Sequence, residues 1–251
     1  MTTSTLEISE LSCARGDRTL FEGFGARVSG GDLLYIAGSN GSGKTTLLRT
    51  VCGLARPAFG DIRWDGRSTH ALGDEFRRHL SYVGHLDGVQ GELTLVENLR
   101  AYRCAAGGAA FPSPLPLSRG ERGTDASGTA SPEEILDRLG LAPYRSFPAK
   151  ILSQGQRRRL ALARLLVSEK PLWILDEPFT ALDVRSCRLI SDLLAQHLAR
   201  GGMALISSHQ QFDIAGVTYH RIDLDSLRAP NPIGFATTDS AQPISAGQHP
   251  A

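Results

Sequence analysis

The segment that most constrains this chain is Gly38-Ser39-Asn40-Gly41-Ser42-Gly43-Lys44-Thr45, which has the form GxxxxGK[ST]. It follows directly on the apolar run Leu33 to Ala37 and opens into Thr45 to Cys52, where apolar residues return at helical spacing. Strand, glycine loop and helix in that order turn backbone N–H groups inward around an anion, and the helix adds the positive end of its dipole. In that setting Lys44 is placed to reach the terminal phosphates of a nucleotide, and the Thr45 hydroxyl to ligate Mg²⁺. A glycine-rich turn with no ligand would account for the glycines but not for Lys-Thr at the start of a helix.

Other segments are suited to carry such a loop. Leu172 to Leu175 and Met203 to Ser207 are short apolar runs fit for strands covered on both faces, while Arg157 to Val167 and Arg188 to Leu198 repeat apolar residues at helical spacing. This alternation predicts an α/β layered domain with a largely parallel sheet. Thr94-Leu95-Val96-Glu97 and Ser131-Pro132-Glu133-Glu134 are capping-box patterns that open two further helices, the second leaving at Gly140. They mark a smaller helical region at about residues 86–165. Residues 105–131, rich in Gly, Ala, Ser and Pro without periodicity, read as a mobile insertion, and residues 228–251 as a disordered tail. Setting both aside leaves about 200 of the 251 residues, the size of one compact domain spanning 1–227.

Lys+Arg 27 against Asp+Glu 26 gives a net charge of +1, so no global field marks a nucleic-acid binder and any anion must be met locally. Cys13, Cys52, Cys104 and Cys187 form no CxxC pair and read as reduced thiols of a cytosolic protein, mostly core filler. No basic stretch followed by an apolar one opens the chain, and no run approaches the 18 or so apolar residues of a membrane span. We therefore expect neither signal peptide nor span, and a membrane role would need spans from another chain.

A second acidic element, Asp176-Glu177-Pro178, follows the run Leu172 to Leu175. Alone it could be a solvated strand end; beside a phosphate loop, adjacent carboxylates divide two roles, Asp176 toward Mg²⁺ and Glu177 toward the attacking water. Leu152-Ser153-Gln154-Gly155-Gln156, followed by Arg157 to Arg164, resembles the signature motif of ATP-binding cassette (ABC) ATPases. Phe179-Thr180-Ala181-Leu182-Asp183 resembles their D-loop, and Ser207-Ser208-His209 ends a strand as their switch histidine does. Together with the phosphate loop and acidic pair, these motifs stand in family order over roughly residues 6–225. The charge run Arg157 to Arg159 by itself reads as a mostly solvated helix face.

The resemblance implies a P-loop NTPase fold of ABC type: a mostly parallel sheet core, an N-terminal antiparallel β region and a small helical subdomain. It implies ATP bound on Gly38, Ser39, Asn40, Gly41, Ser42, Gly43, Lys44, Thr45 and Thr46, with Mg²⁺ on Thr45 and Asp176. It further implies a homodimer in which Ser153, Gln154, Gly155 and Gln156 of one copy complete the γ-phosphate site of the other, with the D-loop at Asp183. Glu177 and His209 would act catalytically.

Two departures point to a subgroup. Where the family carries a glutamine after an apolar strand, Ser81-Tyr82-Val83-Gly84-His85 places His85, with Leu86 the neighbouring alternative. The adenine-stacking aromatic is missing near Cys13-Ala14-Arg15-Gly16, leaving Arg15 as a substitute through its guanidinium plane. Both departures, with Tyr82 to Leu99 and Pro171 to Asp183, resemble the CcmA-type haem-exporter ATPases of c-type cytochrome biogenesis. That resemblance implies integral membrane partners of the CcmB and CcmC type and a peripheral position on the cytoplasmic face of the bacterial inner membrane. No CxxCH and no histidine pair suited to iron occurs here, so no direct haem site is expected. The alternatives are the ATPase of another small-molecule exporter, a soluble ABC protein acting on ribosomes or DNA, and a scaffold disabled by the insertion.

Overall fold

The computed structural model describes residues 4–16, 18–106, 130–168, 170–209, 217 and 219–227. In chain order the elements are β1 (Thr5–Arg15), β2 (Arg18–Ser29), β3 (Leu33–Ala37), α1 (Lys44–Val51), β4 (Phe59–Trp64), β5 (Arg67–Ser68), and the one-turn helices α2 (Thr69–Leu72) and α3 (Asp74–Arg77). Then come β6 (Leu80–Val83), α4 (Leu95–Ala105), α5 (Pro132–Arg138), α6 (Gln154–Ser168), β7 (Leu172–Asp176), α7 (Val184–Ala199), β8 (Met203–Ser207) and β9 (Tyr219–Asp223), followed by a 3-10 turn, Leu224–Leu227.

Two sheets result. An antiparallel one runs β2-β1-β4-β5, and a parallel one runs β6-β7-β8-β3-β9. The apolar runs seen in the sequence are the buried centre of the parallel sheet: every residue of β3, β7 and β8 is buried. Period-2 alternation sends their side chains to two cores. Leu34, Ile36, Ile174 and Leu205 join Leu47, Leu48 and Val51 of α1 and Phe21 and Phe24 of the antiparallel sheet. Leu33, Trp173, Leu175 and Ile206 join Leu95 and Leu99 of α4, Ile135 of α5, Leu162 of α6 and Leu194 of α7. This is the P-loop NTPase fold of ABC type expected above, with its antiparallel region.

Helix starts follow their caps. Thr94 and Ser131 form the two predicted capping boxes, accepting from the N–H groups of Glu97 and Glu134 while those side chains return to the cap N–H. α6 begins at Gln154, earlier than the apolar periodicity at Arg157 suggested, because Ser153 and Gln156 cap it reciprocally. α7 begins at Val184 because Asp183 accepts from Ser186 N–H at 2.7 Å. Near the end of α7, His197 stacks on Trp173 with ring centroids 3.8 Å apart and planes 7° from parallel, its Nε2 3.2 Å from the Met203 carbonyl. Burial holds this imidazole down to about 4.

The expected insertion is corrected at both ends. Ala105 completes α4, the Ala106 carbonyl accepts from Lys170 Nζ at 2.9 Å, and Ala130 is buried with its carbonyl accepting from Arg103, directly ahead of the expected cap Ser131. These residues belong to the packed framework. Residues 107–129, and the tail read at 228–251, lie outside the described residues. Cys13 and Cys52 are buried as core filler, whereas Cys104 is exposed and Cys187 only partly covered. No helix among the described residues is long and apolar enough to cross a membrane.

Candidate active site

Parallel strands deliver their C-terminal ends to one edge, where ligands bind in such sheets. Register brings the motifs together there: Ser207 of β8 is paired with Ile36 of β3 on one side and Asp176 of β7 on the other, and Val83 of β6 is paired with Leu175. The phosphate loop, the acidic pair, His209 and the loop carrying His85 therefore all leave neighbouring strand ends.

In the phosphate loop Gly43 is left-handed at φ 108°, and a Cβ there would stand 3.0 Å from the Phe21 ring and 3.2 Å from Leu20 Cβ, so glycine is required. No side chain caps α1 and no acidic residue occupies its first turn, which leaves its N-terminal N–H groups to a ligand. Lys44, only 7% exposed, folds back so that Nζ donates to the carbonyls of Gly38 at 2.8 Å and Ser39 at 3.2 Å, and stands 3.9 Å from Glu177 Oε1. The Thr45 hydroxyl donates to Asp176 Oδ2 at 2.8 Å. Asp176, fully buried, takes its second bond from the Ser207 hydroxyl at 2.6 Å. Asn40, Gly41 and Thr46 are partly or fully exposed around this cradle, while Ser42 is buried.

Glu177 turns away from the sheet with φ 52°, a left-handed conformation that costs a non-glycine residue energy. Its N–H is held by the Ser207 carbonyl and hydroxyl, each at 3.1 Å. His209 Nδ1 lies 2.9 Å from Glu177 Oε2; a carboxylate only accepts, so the ring N–H donates. The expected nucleophile-activating carboxylate and switch histidine are thus in direct contact, the histidine side chain 45% exposed.

His85 is exposed and makes no hydrogen bond among the described residues, and Leu86 beside it is 84% exposed. Its loop is instead held by α6, which corrects the reading of Arg157 to Arg159 as a mostly solvated face. Arg158 is buried; it donates to the carbonyls of Gly84, Asp176 and Glu177 and to the carboxylate of Asp87. Arg159 donates to the Leu139 carbonyl at 2.8 Å, and Arg157 reaches the carbonyls of Ala149 and Lys150 at 3.5 Å. The terminal nitrogens of these guanidinium groups donate to backbone carbonyls, which offsets part of the cost of burial, while the Nε of each is buried without a partner among the described residues.

The signature residues form the exposed start of α6. Ser153 Oγ accepts from Gln156 N–H at 3.3 Å, and Gln156 Oε1 accepts from Ser153 N–H at 2.9 Å. A Cβ on Gly155 would stand 2.9 Å from the carbonyl of Ala181, so the D-loop passes directly against this turn, and Gln154 projects beside it in the open. Ser186, through its hydroxyl and its N–H, holds the Asp183 carboxyl below the usual carboxylate range. Arg15 is exposed at the end of β1, opposite Arg18, two residues before the Leu20 and Phe21 that touch the phosphate loop. Two participants escape the sequence reading: Arg158, concealed in a charge run, and Asp225 in the turn after β9, which accepts from Ser39 N–H at 2.6 Å and Ser39 Oγ at 2.9 Å.

Residues 21–180 match the family model described as ABC transporter. The chain is 44% identical to the cytochrome c biogenesis ATP-binding export protein CcmA of Nitrosospira multiformis, over 88% of this chain and 98% of that one. It is 40% identical to the CcmA of Escherichia coli K12, over 89% and 98%. The chain belongs to the ABC transporter family, in its CcmA branch. An ATP-binding subunit of an ABC transporter superposes with a TM-score of 0.67 at 26% identity, covering 81% of this chain and 79% of that one. A dimeric ATP-binding cassette bound to ADP and Pi shares the fold, with a TM-score of 0.66 at 23% identity, over 82% and 88%. As an ABC transporter ATPase, the chain binds ATP and couples its hydrolysis to transport.

Proposed function

We propose that this chain is the ATPase of an export complex in c-type cytochrome biogenesis, driving haem export or release of a haem-loaded chaperone. The observation that carries the hydrolytic part is the contact of Glu177 with His209 beside Lys44, at the same sheet edge as the Thr45–Asp176 pair. The export part is supported by 40–44% identity to proteins named CcmA over nearly their full length.

In this reading residues 38–46 and Arg15 bind ATP, within a single ATP-binding domain spanning 1–227. Lys44 exchanges the Gly38 and Ser39 carbonyls for the terminal phosphates, a charge-assisted replacement of neutral bonds. A hydroxyl and a carboxylate 2.8 Å apart are the oxygen donors that Mg²⁺ takes beside substrate phosphates and water, so Thr45 and Asp176 would hold it. When bound, that ion supplies charge neutralisation across the phosphates. Glu177 takes the proton of the attacking water, and His209, donating from Nδ1, keeps that carboxylate oriented beside the γ-phosphate. His85, two residues past the end of β6, serves at the glutamine position by bonding water. A second copy supplies Ser153, Gln154, Gly155 and Gln156, with Asp183 at the contact, and membrane subunits of the CcmB and CcmC type hold both copies peripherally on the cytoplasmic face of the inner membrane.

Deletion of the gene followed by haem staining tests the export part: c-type cytochromes should disappear and return when the gene is restored. Their persistence at normal levels would leave an ATPase serving another exporter. A purified complex that binds ATP without turning it over would end the hydrolytic part.

A further inference from the structure

Three segments of the site meet at one side chain, Arg158, which is 4% exposed. Nη1 donates to the Gly84 carbonyl at 2.8 Å and to Asp87 Oδ1 at 3.1 Å, while Nη2 donates to the carbonyls of Asp176 at 2.7 Å and Glu177 at 2.8 Å. One guanidinium on the helix headed by the signature residues thus bonds both the loop bearing His85 and the backbone of the acidic pair. A buried cation needs its charge balanced, and Asp87 supplies that countercharge. The planar fork matters: lysine, a compact charge on a flexible stem, cannot span four oxygens in two directions.

The left-handed backbone of Glu177 gives this clamp a consequence. Such a conformation persists only where surrounding bonds over-determine it. Ser207 fixes the amide side of Glu177, and Arg158 fixes the carbonyl side through Glu177 and Asp176. The loop is pinned to the same helix a second time, by Arg164, which donates to the Asp87 carbonyl and lies over the Tyr102 ring at 4.7 Å. A displacement of residues 84–88 therefore pulls on the guanidinium that holds Glu177 in place.

We propose that Arg158 is a positioning residue that couples the loop at residues 84–88 to the orientation of Glu177, so that anything moving that loop sets the hydrolytic rate. This rests on Glu177 being the base, as proposed above. Neither Arg158 nor Asp87 is assigned a contact with nucleotide, so the coupling should act on turnover and not on ATP affinity.

The test is ATP turnover against ATP concentration for the full chain in its membrane complex, comparing wild type, Arg158→Lys, Asp87→Asn, the double variant and Glu177→Gln. Arg158→Lys should lower kcat about tenfold and Asp87→Asn about threefold, each with KM within about twofold, as expected when a reacting group is displaced rather than removed. The double variant should be no slower than Arg158→Lys alone, because both changes cut the same link. Wild-type kcat in either single variant, a change in KM with kcat kept, or losses that multiply in the double variant would each overturn the coupling. If Arg158→Lys does not fold, Asp87→Asn decides, since it leaves the three carbonyl bonds in place. Retained turnover in Glu177→Gln would strike the underlying reading instead, whereas its loss alongside wild-type rates for the other variants would strike only the coupling.

Discussion

The phosphate loop and the signature loop are both glycine-bearing entries into helices, yet they are finished differently. The N-terminus of α1 has no side-chain cap, its turn is left-handed at Gly43, and its surroundings, Lys44, Thr45 and the buried Asp176, already face one another. The N-terminus of α6 caps itself: Ser153, which is exposed, and Gln156, which is partly covered, consume each other's N–H groups. The Ser153 hydroxyl accepts in that bond and so keeps its own O–H to donate. One loop gathers an anion cradle within a single chain; the other offers a hydroxyl with no acceptor among the described residues. The difference teaches that one helix start is left open to an anion while the other is closed by its own side chains, the arrangement that the proposed role of Ser153 toward a second copy would use.

Removing the ammonium from the phosphate loop should have the largest effect. Lys44→Ala should weaken ATP binding by about 10- to 100-fold, the range for a lost charge-assisted bond, measured by nucleotide titration of the purified chain. Unchanged affinity would mean the cradle lies elsewhere.

Acid acts on the packing of α7 against the parallel sheet. His197 is held down to about 4, against 6.5 when unfolded, so it stays neutral in the fold while the unfolded chain takes up a proton. Stability is intact above 6.5 and falls as pH drops from 6.5 toward 4, by about 3 kcal/mol in all. Thermal unfolding followed across that window should show the decline, and His197→Phe, which has no proton to take up, should flatten it. An equal slope in the variant would assign the acid sensitivity to other groups.

Ser153→Ala should lower turnover of the assembled complex about tenfold, combining a lost cap and a lost donor, while ATP affinity of the isolated chain stays as it is. A parallel loss of affinity would make the signature loop part of its own chain's site and erase the contrast. The smallest effect falls on the pin between Asp225 and Ser39: Asp225→Asn should weaken ATP binding about threefold, since these bonds are exposed and worth little individually. Tighter binding would show that the carboxylate repels the triphosphate more than it orders the loop.

Much of this arrangement is legible in the residues. The strands β3, β7 and β8 are uninterrupted apolar runs because both faces are covered, and the boxes at Thr94 and Ser131 mark helix starts at the residue. The strand β1 is not legible, because register shifts between Ile8 and Ala14 and the left-handed Glu10 break its period-2 alternation. Arg158 hides inside a charge run, although it lies three, four and seven residues before the buried Ala161, Leu162 and Leu165, on the apolar stripe of α6. That spacing was the available signal. Asp225 has none: it reaches Ser39 across 186 residues through the pairing of β9 with β3.

The central proposal, that a second copy completes the site, is tested most directly by the oligomeric state of Glu177→Gln under sedimentation with ATP and Mg²⁺. Loss of the base alone should leave binding intact and stop turnover, so the variant should sediment at twice the mass of one chain with ATP and at the mass of one chain with ADP. Adding Ser153→Ala should return it to a single chain even with ATP. A Glu177→Gln protein that stays a single chain at saturating ATP would contradict the account.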